Sequence, residues 1–139
     1  MSAVFQVENL TTVIDTAAGT LKAVDGVSLE LRQGECFALV GESGCGKSMT
    51  ALAIMGLLPE GAAARGQVLF EGRDLLALPE AELCRVRGRR IGLVFQEPMT
   101  ALNPVKTIGF QVAEGLRWHL GLARGAAEAR AVTLLERVG

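Results

Sequence analysis

A chain of 139 residues carrying a formal net charge of −1 makes one domain or part of one, and offers no electrostatic case for nucleic acid as a partner. Half of it is hydrophobic and its mean hydropathy is +0.34, yet a chain this short buries only about two-thirds of its unfolded surface, so the apolar excess calls for a dense core or for faces meant for something else. The longest apolar run, Ala51–Leu58, is far short of a membrane span, and MSAVFQVENL lacks the basic start and apolar core of a signal peptide; the expectation is a cytosolic protein that reaches a membrane through a partner.

In chain order, Ala3–Leu10 reads as a strand. Leu21–Arg32 contains the alternation Val27-Ser28-Leu29-Glu30-Leu31-Arg32, the period of a half-buried strand. Gln33-Gly34-Glu35 is a turn, and Cys36–Val40 is a short apolar run of the kind found in fully buried strands. A glycine-rich loop follows. Lys47–Leu58 reads as a helix ended by Pro59 and Gly61, and Gly61–Arg65 (GAAAR) as a loop. Gln67–Phe70 is a strand, Pro79–Arg87 a helix with proline in its first turn, and Ile91–Phe95 a second buried strand. Gln96–Pro104 is a proline-containing loop. Beyond it the pattern turns helical: Val105, Ile108, Val112, Leu116 and Leu120 make one stripe, and Ala127, Ala131, Leu134, Leu135 and Val138 a second, joined through Gly121–Gly125.

The chemistry concentrates in VGESGCGKSMT, which contains Gly41-x-x-x-x-Gly46-Lys47-Ser48, the phosphate-loop pattern. Glycines at 41, 44 and 46 let the backbone take angles other residues avoid. Successive N–H groups can then converge on phosphate oxygens, and the following helix aims its positive end at the same point. Lys47 adds a full charge, and Ser48 offers a hydroxyl to Mg²⁺. The three cysteines, Cys36, Cys45 and Cys84, fit no metal or disulfide spacing. Cys36 and Cys84 read as buried apolar residues. Cys45 reads as a small residue filling a variable loop position in preference to an oxidisable thiol. Arg85-Val-Arg87-Gly-Arg89-Arg90 is a basic run that could touch a nucleotide or lipid headgroups, although a solvated turn is the plainer reading. Trp118 and the single histidine, His119, read as packing or surface residues.

Ile91–Pro104, IGLVFQEPMTALNP, resembles the Q-loop region of ATP-binding cassette (ABC) ATPases. EPMTALNP and GESGCGKSMTALAIMGLLP together resemble the dipeptide/oligopeptide/nickel branch of the importers, and VDGVSLELRQGE is similar to the same group. The resemblance covers about Phe5 to Gly139. It implies an α/β P-loop NTPase fold of ABC-ATPase type, with residues 1–104 as the N-terminal, β-rich part of the nucleotide-binding domain and residues 105–139 as the start of the helical subdomain. It implies that Gly41, Glu42, Ser43, Gly44, Cys45, Gly46, Lys47, Ser48 and Met49 hold ATP, with Mg²⁺ at Ser48 and Gln96, and that Gln96 also contacts the attacking water. It implies that the loop Gln96–Pro104 touches transmembrane permease subunits, that a second ATPase subunit pairs head-to-tail, that a solute-binding protein delivers cargo, and that the protein sits on the cytoplasmic face of the membrane. Ile14 stands where the family usually stacks an aromatic residue on adenine, so apolar contact would replace stacking.

A second departure concerns catalysis. The chain contains no LSGGQ-like signature. Its aspartates, Asp15, Asp25 and Asp74, neither end an apolar strand nor precede a glutamate, and His119 does not stand in a switch context. Phosphoryl transfer to water depends on positioning and charge stabilisation, so a chain without general base and switch histidine binds without hydrolysing. The expected function is the ATP-binding, ATP-hydrolysing subunit of a peptide or nickel importer, of which these residues are the binding half. The alternatives are a non-catalytic nucleotide-binding fragment and a small P-loop kinase.

Overall fold

The computed structural model describes residues 3–97 and 101–139. They form two compact units, one reaching Leu83 and the other running from Cys84 to Gly139.

The first unit is built on an antiparallel sheet. Strands β1 (Ala3–Thr16) and β2 (Gly19–Arg32) form a long hairpin, closed by the pair Thr16 and Gly19. Strand β3 (Ala62–Phe70) lies antiparallel on the other edge of β1, and the short β4 (Arg73–Asp74) completes the order β2-β1-β3-β4. β1 is therefore paired on both edges and supplies three of the four largest fully buried side chains, Val7, Leu10 and Thr12, the fourth being Val68 of β3; Val24 of β2 is buried with them. Val7 and Leu10 are three apart, which a regular strand would place on opposite faces. The register shifts between them, and Asn9 takes φ +49°, so a bulge brings both to the core side. Gly66 of β3 permits that bulge. Its φ is +110°, and a Cβ there would meet the carbonyl oxygens of Glu8 and Asn9 at 2.6 Å.

Helix α1 (Lys47–Ile54) packs on β1, β2 and β3. It ends four residues before the Leu58 expected from sequence. Gly56, at φ +61°, donates to the Ala53 carbonyl at 3.1 Å, and Leu57 donates to Leu52 at 2.9 Å, the paired bonds of a Schellman ending. Gly56, not Pro59 or Gly61, is the terminator. The GAAAR segment is also not a loop: Ala62 to Arg65 lie in β3 against Ile14, Val13, Thr12 and Thr11. Asp74 accepts hydrogen bonds from Leu76 N (3.1 Å) and Val68 N (3.2 Å), fixing the 3₁₀ turn Leu75–Ala77 beside β3. Helix α2 (Glu80–Val86) follows Pro79, whose carbonyl accepts from Glu82 and Leu83.

In the second unit, helices α3 (Ile108–Leu120) and α4 (Arg124–Glu136) pack through Ala113, Ala127 and Ala131, with Val112, Leu116 and Leu122 around them. The first helix starts at Ile108 and not at Val105 because Thr107 caps it, its hydroxyl accepting from Phe110 N at 3.2 Å. Gly121, at φ +66°, closes its far end.

Two expected buried strands do not form. Cys36–Val40 is irregular and exposed throughout, with Val40 at 88%. Ile91–Phe95 makes only an isolated bridge between Ile91 and Arg87, and Val94 is 95% exposed. Cys36 is accordingly exposed and Cys84 half-buried, where burial of both was expected. The reason is pairing. A run buried on both faces belongs to a parallel sheet, whose strands meet neighbours from distant parts of a chain. Among the described residues neither run has such a neighbour, and apolar sequence alone supplies no backbone partner.

Candidate functional site

The glycine loop leaves the irregular segment after β2 and opens directly into α1. Its glycines do different jobs. At Gly46, φ is +93° and an added Cβ would collide with the carbonyl oxygen of Ala23 in β2, so the loop rests on the sheet through a bare backbone. At Gly41, an added Cβ would come within 2.5 Å of Cys45 Sγ. Gly44 takes φ +84° in open space. Cys45 is exposed, with its sulfur lying beside Gly41 and the Lys47 ammonium.

Lys47 folds back over the loop. Its ammonium donates to the carbonyls of Gly41 (2.8 Å) and Glu42 (2.6 Å) and lies 3.3 Å from Cys45 Sγ. The charge is therefore held at the loop mouth by carbonyl groups. Within the loop, Cys45 N donates to Glu42 O at 3.3 Å. The amides of Gly44, Gly46, Lys47, Ser48 and Met49 have no hydrogen-bond partner among the described residues, and α1 has no side-chain cap. Unpaired donors at a helix start beside a lysine suit a multiply charged anion, so the donor set fits a nucleotide's phosphates. Ser48 is exposed, and its hydroxyl has no partner among the described residues, which leaves it open to a cation. Glu42 and Ser43 are exposed on the same loop, and Met49 is half-buried in the first turn of α1.

Thr50 is a contributor that the motif pattern does not include. It is buried, and its hydroxyl returns a hydrogen bond to Gly46 O at 3.0 Å alongside its amide at 2.8 Å. The signal was a threonine four residues beyond Gly46, the spacing of a hydroxyl bonding back one turn. Ala23 is a second, invisible in sequence because it acts through its carbonyl. Ile14 is half-buried in β1, paired with Leu21 and Ala62. Gln96 is exposed at a bend in the second unit, and positions 98–100 of its loop lie outside the described residues. The structure thus gathers residues 41–49 into one loop and describes Gln96 separately. A hollow of about 400 Å³ between α3 and α4 involves none of these residues; Arg124 on its rim is held above its ordinary pKa by the hydrogen bond and charge of Glu128.

The family model described as ABC transporter matches residues 24–139. The chain belongs to the ABC transporter family. It is 46% identical over its whole length to the dipeptide transport ATP-binding protein DppD of Bacillus subtilis, and 48% identical over 96% of its length to the oligopeptide transport ATP-binding protein OppD of the same organism. It covers 42% and 38% of those proteins, so it spans about two-fifths of the curated relatives it matches. A dimeric structure of MJ0796, a bacterial ABC transporter cassette, superposes with a TM-score of 0.74 at 24% identity, covering 95% of this chain and 56% of that one. That likeness shows the fold: this sheet and its helices are those of an ABC cassette. Family membership also removes the P-loop kinase alternative. Among the described residues no helix is long and apolar enough to cross a membrane.

Proposed function

We propose that this chain is the nucleotide-holding part of the ATP-binding subunit of an ABC importer for peptides. The observation that carries the proposal is the loop itself, with unpaired amides at the start of α1, the Lys47 ammonium at its mouth and a free Ser48 hydroxyl. The names of the relatives, dipeptide and oligopeptide transport ATP-binding proteins, favour peptides over nickel as cargo. In this reading residues 41–49 hold the phosphates of MgATP, with Ser48 and Gln96 on Mg²⁺ and Ile14 against adenine. Lys47, held in this structure by the carbonyls of Gly41 and Glu42, would supply the positive charge for those phosphates. Residues 1–104 are then the phosphate- and Q-loop part of the nucleotide-binding domain, and residues 105–139 the start of its helical subdomain.

The subunit acts at the cytoplasmic face, pairing with a second ATPase subunit and meeting permease subunits through the Gln96–Pro104 loop, with a solute-binding protein supplying cargo. The residues present bind and position; they include no Asp-Glu pair to act as general base. The 139 residues alone are therefore a binding module, and turnover belongs to the full-length subunit. The test is MgATP binding and hydrolysis by the full-length protein. Lys47→Ala is expected to weaken binding by about 10- to 100-fold, the worth of a charged hydrogen-bonding group, and to abolish turnover. Unchanged affinity in Lys47→Ala would remove the phosphate-loop reading.

A further inference from the structure

The basic run Arg85–Arg90 is not among the residues that the proposed function assigns to the nucleotide. The fold gives it a neighbour that the sequence did not show. α2 ends at Val86 and the chain reverses at Gly88, with Arg90 N donating to Val86 O at 2.8 Å and Gly88 N to Ile91 O at 2.9 Å. This turn seats on α3. Gly88 takes φ +76°, and a Cβ there would lie 2.8 Å from His119 Nε2. Arg85, Arg89, Trp118 and His119 consequently line one shallow hollow of about 150 Å³. Arg85 and Arg89 are exposed, and neither has an ion-pair partner among the described residues. Trp118 is 68% exposed and Leu120 60%. On the other side of Trp118 lie Arg117 and Glu114, and Glu114 already faces Lys106 at 3.9 Å.

We propose that the face made by Arg85, Arg89 and Trp118 docks on the phosphate-bearing headgroups of an anionic lipid surface. Guanidinium groups match phosphate oxygens in pairs. An indole with an apolar body and one N–H settles at headgroup depth. With a net charge of −1 the chain has no overall attraction for polyanions, so binding would depend on a local footprint such as this one. An acidic protein segment would satisfy the arginines but gives no reason for so exposed an indole. The proposal does not rest on nucleotide binding, since no residue of the phosphate loop takes part in it.

The experiment is cosedimentation of the full-length protein with vesicles of phosphatidylcholine alone and of equal parts phosphatidylcholine and phosphatidylglycerol. Binding is expected to the anionic vesicles only, and to fall in 1 M salt, where the screening length shrinks to about 3 Å. Arg85→Gln with Arg89→Gln should weaken it about thirtyfold, about fivefold for each arginine near the surface, and leave MgATP affinity unchanged. The emission component lost in Trp118→Phe should shift to the blue when anionic vesicles are added. Equal binding to both vesicles, no effect of the double variant, or a Trp118 emission already blue and shielded from quencher before lipid is added would overturn the proposal. Capture by immobilised polyglutamate without vesicle binding would assign the face to an acidic protein segment instead.

Discussion

Thr12 and Gly46 show how single atoms decide this structure. Thr12 is fully buried in the central strand, and its hydroxyl has no hydrogen-bond partner among the described residues. A hydroxyl withdrawn from water without a partner is a cost that valine, of nearly the same shape, does not carry. Thr12→Val is expected to stabilise the fold by about 1 kcal/mol, read as a higher urea midpoint at unchanged slope. A lower midpoint would mean that the hydroxyl is satisfied in solution. Gly46 is the opposite case, where an absent atom matters. Its motif position marks it as a phosphate-loop glycine, but the atom that forbids a side chain is the Ala23 carbonyl of β2, which no motif contains. The motif therefore showed which residues make the loop, and the fold shows what the loop leans on.

At the scale of elements, agreement followed locality. The helix over Pro79–Arg87 and the two helical stripes at the chain's end were legible because their signals, a proline start and a repeat near 3.6, sit within the element itself. β3 is half legible: Gln67–Phe70 carries a strand pattern, while Ala62–Arg65 does not, because small residues carry little strand preference and β1 recruits them by pairing. The end of α1 is ambiguous in sequence because Gly56 competes with Pro59 as a stop signal, and the Schellman bonds show which one acts. Cys36–Val40 and Ile91–Phe95 differ from expectation for the reverse reason, since hydrophobicity is visible in sequence and a lack of pairing among the described residues is not. The α3–α4 contact supplies a prediction. Ala127 and Ala131 are essentially inaccessible against Ala113, so the helices approach as closely as methyl groups allow. Ala131→Leu is expected to destabilise by about 1–3 kcal/mol through overpacking, as a lower thermal midpoint. A neutral outcome would show that the two helices can separate freely.

For the whole molecule, the apolar excess of the composition is found on the surface and not in a dense core. Phe37, Leu39 and Val40 stand exposed in one irregular segment, and Val94 and Phe95 in another. Contiguous exposed apolar segments of this kind associate. Both are also short, apolar and free of proline, the composition that pairs edge to edge when left without a strand partner. The 139-residue chain prepared by itself is therefore expected to self-associate, with a sedimentation coefficient that rises with concentration. Val40→Lys combined with Val94→Lys should reduce that association by placing a charge in each run, and should not disturb the β1–β2 hairpin, whose core residues lie elsewhere. A monodisperse, cooperatively unfolding monomer would show that the two runs find cover within these residues. Association that ignores both substitutions would place the adhesive surface elsewhere, with the exposed Val105 before α3 and Ile108 at its start the next residues to change.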